Sequence, residues 1–215
     1  MEPLSARAAV VVVVAVLCTA ASTPSRAMEF EIAPFAGYRA GGAFHDTSVD
    51  ANRDIDENAS FGIALNLRKD AETQWELTYS RQDTRIEPLA GATVPESLDL
   101  RVDYLQLGGT YFFSETDHQG FDPYVVGGLG ITRFTPERTG LNDRIEPSIN
   151  VGIGMRVPVS QRVALRLEGR AYVTVLETSG SIFCRSDSVN AGCTIHARAR
   201  GLWQLEALFA VAFRL

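Results

Sequence analysis

The chain has 215 residues, of which 20 are basic and 26 are acidic, so its formal net charge at pH 7 is −6. This acidic balance, without a basic patch or a stacking platform, argues against nucleic acid as a partner, because nucleic-acid binding depends on neutralising phosphates. The length fits one domain behind an N-terminal targeting segment.

The N-terminal segment 1–27 has the features of a secretory signal peptide. Arg7 gives a weakly basic start, an apolar run covers residues 8–21, and small residues precede a cleavage site after Ala27. A membrane-anchoring helix is the alternative, but the run is shorter than the ~20 apolar residues that a spanning helix needs. Cleavage removes one acidic and two basic residues, which changes the formal net charge from −6 to −7. Residues 28–215 are then predicted to form a single domain.

Eight segments of that domain alternate between apolar and polar residues with a period of two, which is typical of amphipathic β-strands. The stretch "VALRLEGRAYVTV" is the clearest, since Arg166, Glu168 and Arg170 all fall between apolar or small residues. No segment after the signal predicts a helix. The predicted strands lie at about 29–39, 59–68, 74–82, 100–113, 123–134, 148–157, 163–175 and 202–215.

The fourth of these strands is irregular. Leu105 and Leu107 share a phase that Leu100 and Val102 do not. A bulge inserts one residue and shifts the phase of everything beyond it, so the pattern indicates a bulge near Asp103.

The connections between the strands alternate strictly between long and short. The short ones are rich in turn formers. In an up-and-down meander this alternation places every long loop at one end of the sheet and both chain ends at the other. The long connections are about 40–58, 83–99, 135–147 and 176–201, and the short ones are about 69–73, 114–122 and 158–162.

Eight amphipathic strands fit two closed structures: a soluble carrier with its apolar face inside, and a membrane barrel with its apolar face toward lipid. Short turns at one end and long loops at the other are typical of outer-membrane barrels. Large aromatic residues near strand ends fit the interfacial girdles of such barrels, and they are Tyr38, Trp75, Tyr79, Trp203 and Phe213. We therefore predict an all-β, eight-stranded antiparallel up-and-down transmembrane β-barrel.

The polar face of the predicted strands carries charges of both signs. Because a lumen of eight strands is just wide enough for side chains, charges inside it have to pair. Arginine suits this role through its planar fork, and Lys69 is the single lysine among the 20 basic residues. A GC-rich genome explains the arginine bias equally well. The predicted lumen charge network comprises Glu31, Arg39, Glu76, Arg156, Arg166, Glu168, Arg170, Glu206 and Arg214.

Two cysteines, Cys184 and Cys193, remain after cleavage of the signal. In an exported protein such a pair most simply forms a disulfide, and two free thiols are the alternative. A metal site needs more ligands than this pair and the nearby His196 provide. The disulfide would stiffen the fourth long loop, which we predict to be a contact surface.

Several segments resemble the outer-membrane β-barrel domain family, the small eight-stranded barrels related in form to opacity-type proteins and to the membrane domain of outer-membrane protein A. The resemblance covers essentially all of residues 28–215 and is carried by "FEIAPFAGYR", "DYLQLGGTYFF", "DPYVVGGLGITRF" and "INVGIGMRVPVSQRVALRLEGRAY". It implies a location in the cell outer membrane, among lipids and lipopolysaccharide. It also implies insertion by the outer-membrane assembly machinery, which reads the last strand. Such strands usually end in an aromatic residue, whereas this one ends in Leu215, two positions after Phe213.

Catalysis is not predicted. Some barrels of this size modify lipid A with a His beside a Ser or a carboxylate, but His45 and His196 fall in long loops and His118 in a short turn. A water-filled pore is disfavoured, since channels of that kind have about 16 strands. We predict a non-enzymatic surface scaffold without a cofactor, with a surface partner or a role in adhesion or envelope integrity. A lipid A-modifying enzyme and a soluble periplasmic carrier are the alternatives.

The first long loop contains "DANRDIDE" at 50–57, which has the rhythm of a calcium-binding loop. Ile55 stands where the EF-hand pattern requires glycine, and Phe61 stands where it requires glutamate. The EF-hand pattern therefore fails, and a solvated acidic loop is favoured. Loose binding of divalent cations by residues 46–57 stays open.

Overall fold

The described residues of this computed structural model form twelve strands. They are β1 Phe30–Ala40, β2 Ala43–Asp46, β3 Ala51–Asp54, β4 Asn58–Arg68, β5 Thr73–Ile86, β6 Leu98–Phe112, β7 Asp122–Pro136, β8 Arg144–Pro158, β9 Val163–Thr174, β10 Ile182–Ser186, β11 Ala191–Ile195 and β12 Leu202–Arg214. The structure describes residues 29–46, 51–86, 97–113, 120–137, 141–176, 182–186, 191–195 and 201–215. Within this part of the chain no helix is long and apolar enough to cross a membrane. The predicted signal peptide, 1–27, lies outside it.

Eight strands close into a single antiparallel barrel in the order β1-β12-β9-β8-β7-β6-β5-β4. The first and last strands of the barrel pair with each other, with Glu31 opposite Arg214 and Ala40 opposite Leu205. Such closure is what lipid demands, because hydrocarbon offers no water to hydrogen-bond an open strand edge. The predicted eight-stranded up-and-down barrel is confirmed.

The two ends of the barrel differ. Connections of four, nine and four residues join β4 to β5, β6 to β7 and β8 to β9 at one end, the short-loop end, where Leu215 also lies. The four connections predicted to be long lie at the other, the long-loop end. The one between β7 and β8 covers only residues 137–143, so the predicted strict alternation of loop lengths is wrong there, because both strands extend beyond their predicted limits. In outer-membrane barrels these ends face the periplasm and the cell exterior, respectively. Two of the long connections, predicted as loops, contain the hairpins β2–β3 and β10–β11.

The first short turn is held by a side chain. Asp70 accepts hydrogen bonds from the backbone amides of Glu72 and Thr73 at 3.0 and 2.8 Å, and from the Thr73 hydroxyl at 2.5 Å. These bonds, the hydroxyl foremost, lower the pKa of the Asp70 carboxyl. A carboxylate with a lowered pKa stabilises the fold above the pKa of the unfolded chain, so this contribution is lost as the pH falls through the folded-state pKa.

Apolar side chains cover the outside of the barrel wall. Leu107 is 62% exposed, Leu129 and Ile153 are each 69% exposed, and the aromatic residues Trp75 and Trp203 are also exposed near opposite ends of the barrel. Charged and polar side chains on the alternate positions point inward and are buried. An apolar belt of this extent would aggregate in water but matches the acyl chains of a bilayer. This arrangement contradicts the alternative of a soluble carrier.

The polarity of the two faces reverses toward the long-loop end of β5, β6 and β7. There the outward positions form a charged collar, and the inward positions hold apolar side chains such as Leu100 and Val102. On the outside, Arg101 pairs with Asp83 at 3.0 Å and with Glu137 at 3.0 Å, while Arg85 pairs with Asp99 at 2.8 Å. The wall therefore leaves the hydrocarbon at this level and continues as a water-soluble barrel.

The predicted bulge near Asp103 is wrong. β6 pairs with β5 without interruption from Leu98 to Tyr111. Leu100 and Val102 lie on the inward phase because this part of the lumen is apolar. The change of environment along the strand, and not a change of phase, explains the irregular sequence pattern.

An apolar cap fills the lumen at the long-loop end. Its buried members are Ile55, Ile86, Leu98, Leu100, Val102, Tyr104, Phe134, Tyr172, Leu176 and Leu202. Ile55 comes from the first long loop and forms a β-bridge with Ile86. The residue that interrupts the calcium-loop pattern is thus a core residue. Among the described residues, no group of three or more His, Cys, Asp or Glu side chains is placed to hold a metal ion.

The outward face of the wall can be tested with a single charge. Leu129→Arg places a guanidinium in the middle of the apolar belt and should destabilise the barrel by about 2–4 kcal/mol. Val159→Arg, in the exposed turn after β8, is the control and should cost about 0–1 kcal/mol. Urea titration of folding into lipid vesicles, followed by heat-modifiable gel mobility, measures both. Equal effects of the two substitutions would contradict the assignment of the belt to lipid.

Candidate functional site

Eight buried charges of the lumen form three groups along the barrel axis. They are four arginines and four glutamates, and the charges cancel within each group. The members are Glu31, Arg39, Glu76, Arg156, Arg166, Glu168, Arg170 and Glu206, each at most 6% exposed. These eight residues are the lumen network. A further buried carboxylate, Glu146 at the long-loop end of β8, pairs with Arg144. Balanced, paired charges are what an interior without bulk water requires.

The central group joins β5 to β9 across the lumen. Arg166 contacts Glu76 at 3.0 Å and Glu168 at 3.1 Å, and Arg170 contacts Glu76 at 2.6 Å and also pairs with Glu168. The hydroxyl of Tyr124 donates to Glu168 at 2.7 Å and accepts from Arg166 at 3.0 Å. Each carboxylate therefore serves two guanidinium groups, and the geometry fixes strands on opposite sides of the barrel.

The outer group is built around Arg39, which is fully buried. Its guanidinium donates to Glu206 at 2.9 Å and to the Ser80 hydroxyl. The Tyr104 ring lies 4.7 Å from the guanidinium carbon and the Tyr172 ring 5.3 Å. The Nε and Nη1 atoms of Arg39 have no hydrogen-bond partner among the described residues. The aromatic faces stabilise this part of the cation instead.

The group at the short-loop end contains Glu31 and Arg156, 2.6 Å apart. Arg166 lies 3.9 Å from the other oxygen of Glu31 and connects this pair to the central group. Arg214, which the sequence assigns to the lumen network, lies outside it. It sits at the end of β12, partly exposed, 3.7 Å from Glu29. The alternation of apolar and polar residues predicts whether a side chain faces the lumen or the lipid, but not its position along the barrel axis. Arg214 lies at the rim of the barrel, where its side chain reaches water.

Two inward-facing glycines make room for aromatic rings in the lumen. A Cβ at Gly154 would lie 2.4 Å from the Tyr124 ring, and a Cβ at Gly62 would lie 2.2 Å from the Phe35 ring. Both distances are far inside van der Waals contact. Tyr124 can reach Arg166 and Glu168 because position 154 has no side chain.

The structure describes the backbone of three of the residues that the sequence singles out for chemistry, namely His45, Cys184 and Cys193. His45 lies in β2, for which the backbone is described, while His118 and His196 fall outside the described residues. Cys184 and Cys193 lie directly opposite each other in the β10–β11 hairpin.

Several neutral partners of the network are absent from the set of residues that the sequence predicts for it. Tyr104, Tyr124, Tyr172 and Ser80 all contribute hydroxyl groups to the lumen. Tyr172 shares the phase of Arg166, Glu168 and Arg170, so its position on the polar face was the signal available. Tyr124 gives no such signal, because its neighbours in β7 are apolar on both faces.

Comparison with solved structures agrees with this architecture. Neisserial surface protein A, known from a crystal structure, is similar with a TM-score of 0.54 and 16% identity over 87% of this chain and 97% of that one. Outer membrane protein AlkL, determined by solid-state NMR in DMPC bilayers, is similar with a TM-score of 0.50 and 14% identity over 91% of this chain and 94% of that one. No protein-family model matches the sequence, and no curated protein sequence is similar to it.

Likeness at this level of identity shows the fold. Together with the apolar wall and the charged lumen, it defines the protein as a small eight-stranded outer-membrane β-barrel. The expected resemblance to that family is confirmed, and the protein is located in the cell outer membrane.

Removal of one partner from the outer group tests the pairing. Arg39→Met leaves the buried Glu206 carboxylate without its cation and should destabilise the barrel by about 3–5 kcal/mol. The double variant Arg39→Met/Glu206→Gln removes both charges and should recover much of this loss. Urea unfolding in detergent gives the free energies. A loss below about 1 kcal/mol in the single variant would show that water solvates the carboxylate.

The space beside Tyr124 gives a second test. Gly154→Ala forces the Tyr124 ring away from Glu168 and should destabilise the barrel by about 1–3 kcal/mol. Gly127→Ala is the matched control, because its Cβ would meet only the Asn150 carbonyl oxygen at an ordinary 3.5 Å. The same unfolding titration applies, and equal stability of the two variants would contradict the tight packing of this layer.

Proposed function

We propose that the protein is a non-enzymatic surface scaffold that makes its contacts through the four long loops. The observation that carries this proposal is the filled lumen, in which eight paired charges are followed by the apolar cap. An eight-stranded barrel packed in this way offers no passage for solutes. The wall then acts as a rigid support, and loops held by such a support are where binding specificity usually lies.

The fourth long loop is the proposed contact surface. Cys184 and Cys193 face each other across β10 and β11. Directly opposite residues of an antiparallel pair have Cα atoms about 4.5–5.5 Å apart, and disulfides span about 4.4–6.8 Å. This register supports a disulfide between them. The bridge would hold the hairpin in one shape before a partner binds and so lower the entropic cost of binding.

The route to the membrane is part of the proposal. Residues 1–27 act as a cleaved signal peptide, and the outer-membrane assembly machinery recognises β12. That strand has a lipid-facing row that ends in Phe213, with Leu215 following. The charged collar then lies at the level of the lipopolysaccharide head groups, where its mixed charges match an anionic, cation-bridged surface.

Deletion of residues 180–197 tests the role of the loop. Cells that express the intact protein should adhere to a surface or aggregate more than cells with an empty vector. Cells that express the deletion should lose this gain, because the contact surface is absent. Heat-modifiable mobility should be unchanged, since the deleted residues lie outside the barrel wall. The measurements are adhesion counts and detergent sensitivity at matched surface expression.

Two results would contradict the proposal. One is adhesion that persists in the deletion variant. The other is a change in the mass of lipid A on expression of the intact protein, because this would support the alternative of a lipid A-modifying enzyme. The double variant Cys184→Ser/Cys193→Ser is a less disruptive test than the deletion. Adhesion of cells that express it should weaken, and the heat-modifiable mobility of the barrel should stay unchanged.

A further inference from the structure

The lipid-facing wall has a groove near the short-loop end. One lateral row of outward positions runs Trp75, Gly109, Gly127 and Val151 across four neighbouring strands. Its two central positions are glycines, so no side chain projects from the outer surface of the wall there. The resulting groove has a volume of about 470 Å³ and an almost wholly apolar surface. It lies inside the belt that faces acyl chains.

An empty groove at this place would be unfavourable, because its lining would lack contact atoms on one side. Trp75 and Tyr111 flank the groove, and the backbone of Gly109 and Gly127 forms its floor. The hydroxyl of Tyr111 donates to Glu72 at 3.1 Å, which directs the ring toward the short-loop end. Tryptophan and tyrosine in this position mark the level of the lipid head groups.

A cation stands at the edge of this groove. Lys69, the single lysine of the chain, lines it. Lys69 forms no ion pair with any residue in the described part of the chain, whereas Arg68 beside it pairs with Glu29 at 3.1 Å. The carboxylate of the adjacent Asp70 is engaged by the amides and the hydroxyl of its own turn. An ammonium group beside an apolar groove complements a phosphate joined to an acyl chain.

We propose that this groove binds one phospholipid of the periplasmic leaflet. One acyl chain lies over Gly109 and Gly127 between Trp75 and Tyr111, and the phosphate accepts hydrogen bonds from the Lys69 ammonium group. The bound lipid completes the wall where two side chains are missing. It differs from the surrounding lipids because the groove holds its acyl chain and Lys69 holds its phosphate.

Native mass spectrometry of the mature barrel in maltoside detergent tests the site, with phosphatidylglycerol as the added lipid. The unaltered protein should retain one phosphatidylglycerol at collision energies that remove the others. Gly127→Leu fills the groove, and the ordinary 3.5 Å contact at that position makes the substitution compatible with folding. Lys69→Gln removes the cation. Loss of the cation should lower the retained fraction roughly fivefold, and filling of the groove should lower it at least as much.

Two matched controls accompany these variants. Arg162→Gln removes a cation from another turn at the same end, and Gly169→Leu adds the same bulk to a lipid-facing position where a Cβ meets nothing within 4 Å. Both should retain the lipid as the unaltered protein does, and all variants should show unchanged heat-modifiable mobility. The proposal is overturned if the unaltered protein retains no lipid, or if Lys69→Gln and Gly127→Leu retain it like the controls. It is also overturned if the groove is occupied by a second barrel, seen as a dimer that Gly127→Leu dissolves.

Discussion

Hydrocarbon cannot hydrogen-bond the backbone, and this single constraint governs the structure. It forces β1 to pair with β12, so the sheet has no open edge in the lipid. Closure with eight strands in turn makes the lumen so narrow that side chains have to fill it. The alternating pleat then sends every second side chain into that lumen, and the polar ones have to find partners there. The Arg–Glu network is the consequence of closing so small a barrel.

The network does more than neutralise charge. Because each arginine contacts a glutamate from another strand, two of the groups connect walls that the backbone ladder leaves far apart. Arg156 and Glu31 join β8 to β1, and Arg166 and Glu76 join β9 to β5. Arg39 and Glu206 lie opposite each other on the neighbouring strands β1 and β12 and reinforce the closure of the barrel. Above them the apolar cap closes the outer mouth. The barrel is thus a rigid support for its loops, and the groove near Lys69 adds a lipid contact on the opposite, periplasmic side.

The strands, their inward and outward phases and the asymmetry of the ends follow from the sequence, because period-two alternation and loop length are local properties. Depth is not local. Leu100 and Val102 look out of phase in the sequence because nothing in it marks where the wall leaves the lipid. Partners are not local either: Arg39 meets Glu206 only through strand register and closure. Arg214 shows the same limit, since its phase is inward but its height places it at the rim.

The orientation of the wall can be measured with native residues alone. The chain has two tryptophans, Trp75 and Trp203, and both point outward into the apolar belt. In vesicles made of lipids with brominated acyl chains, their fluorescence should be strongly quenched, while aqueous acrylamide should have little effect. Fluorescence that resists the brominated chains but yields to acrylamide would place both indoles in water and would contradict the account.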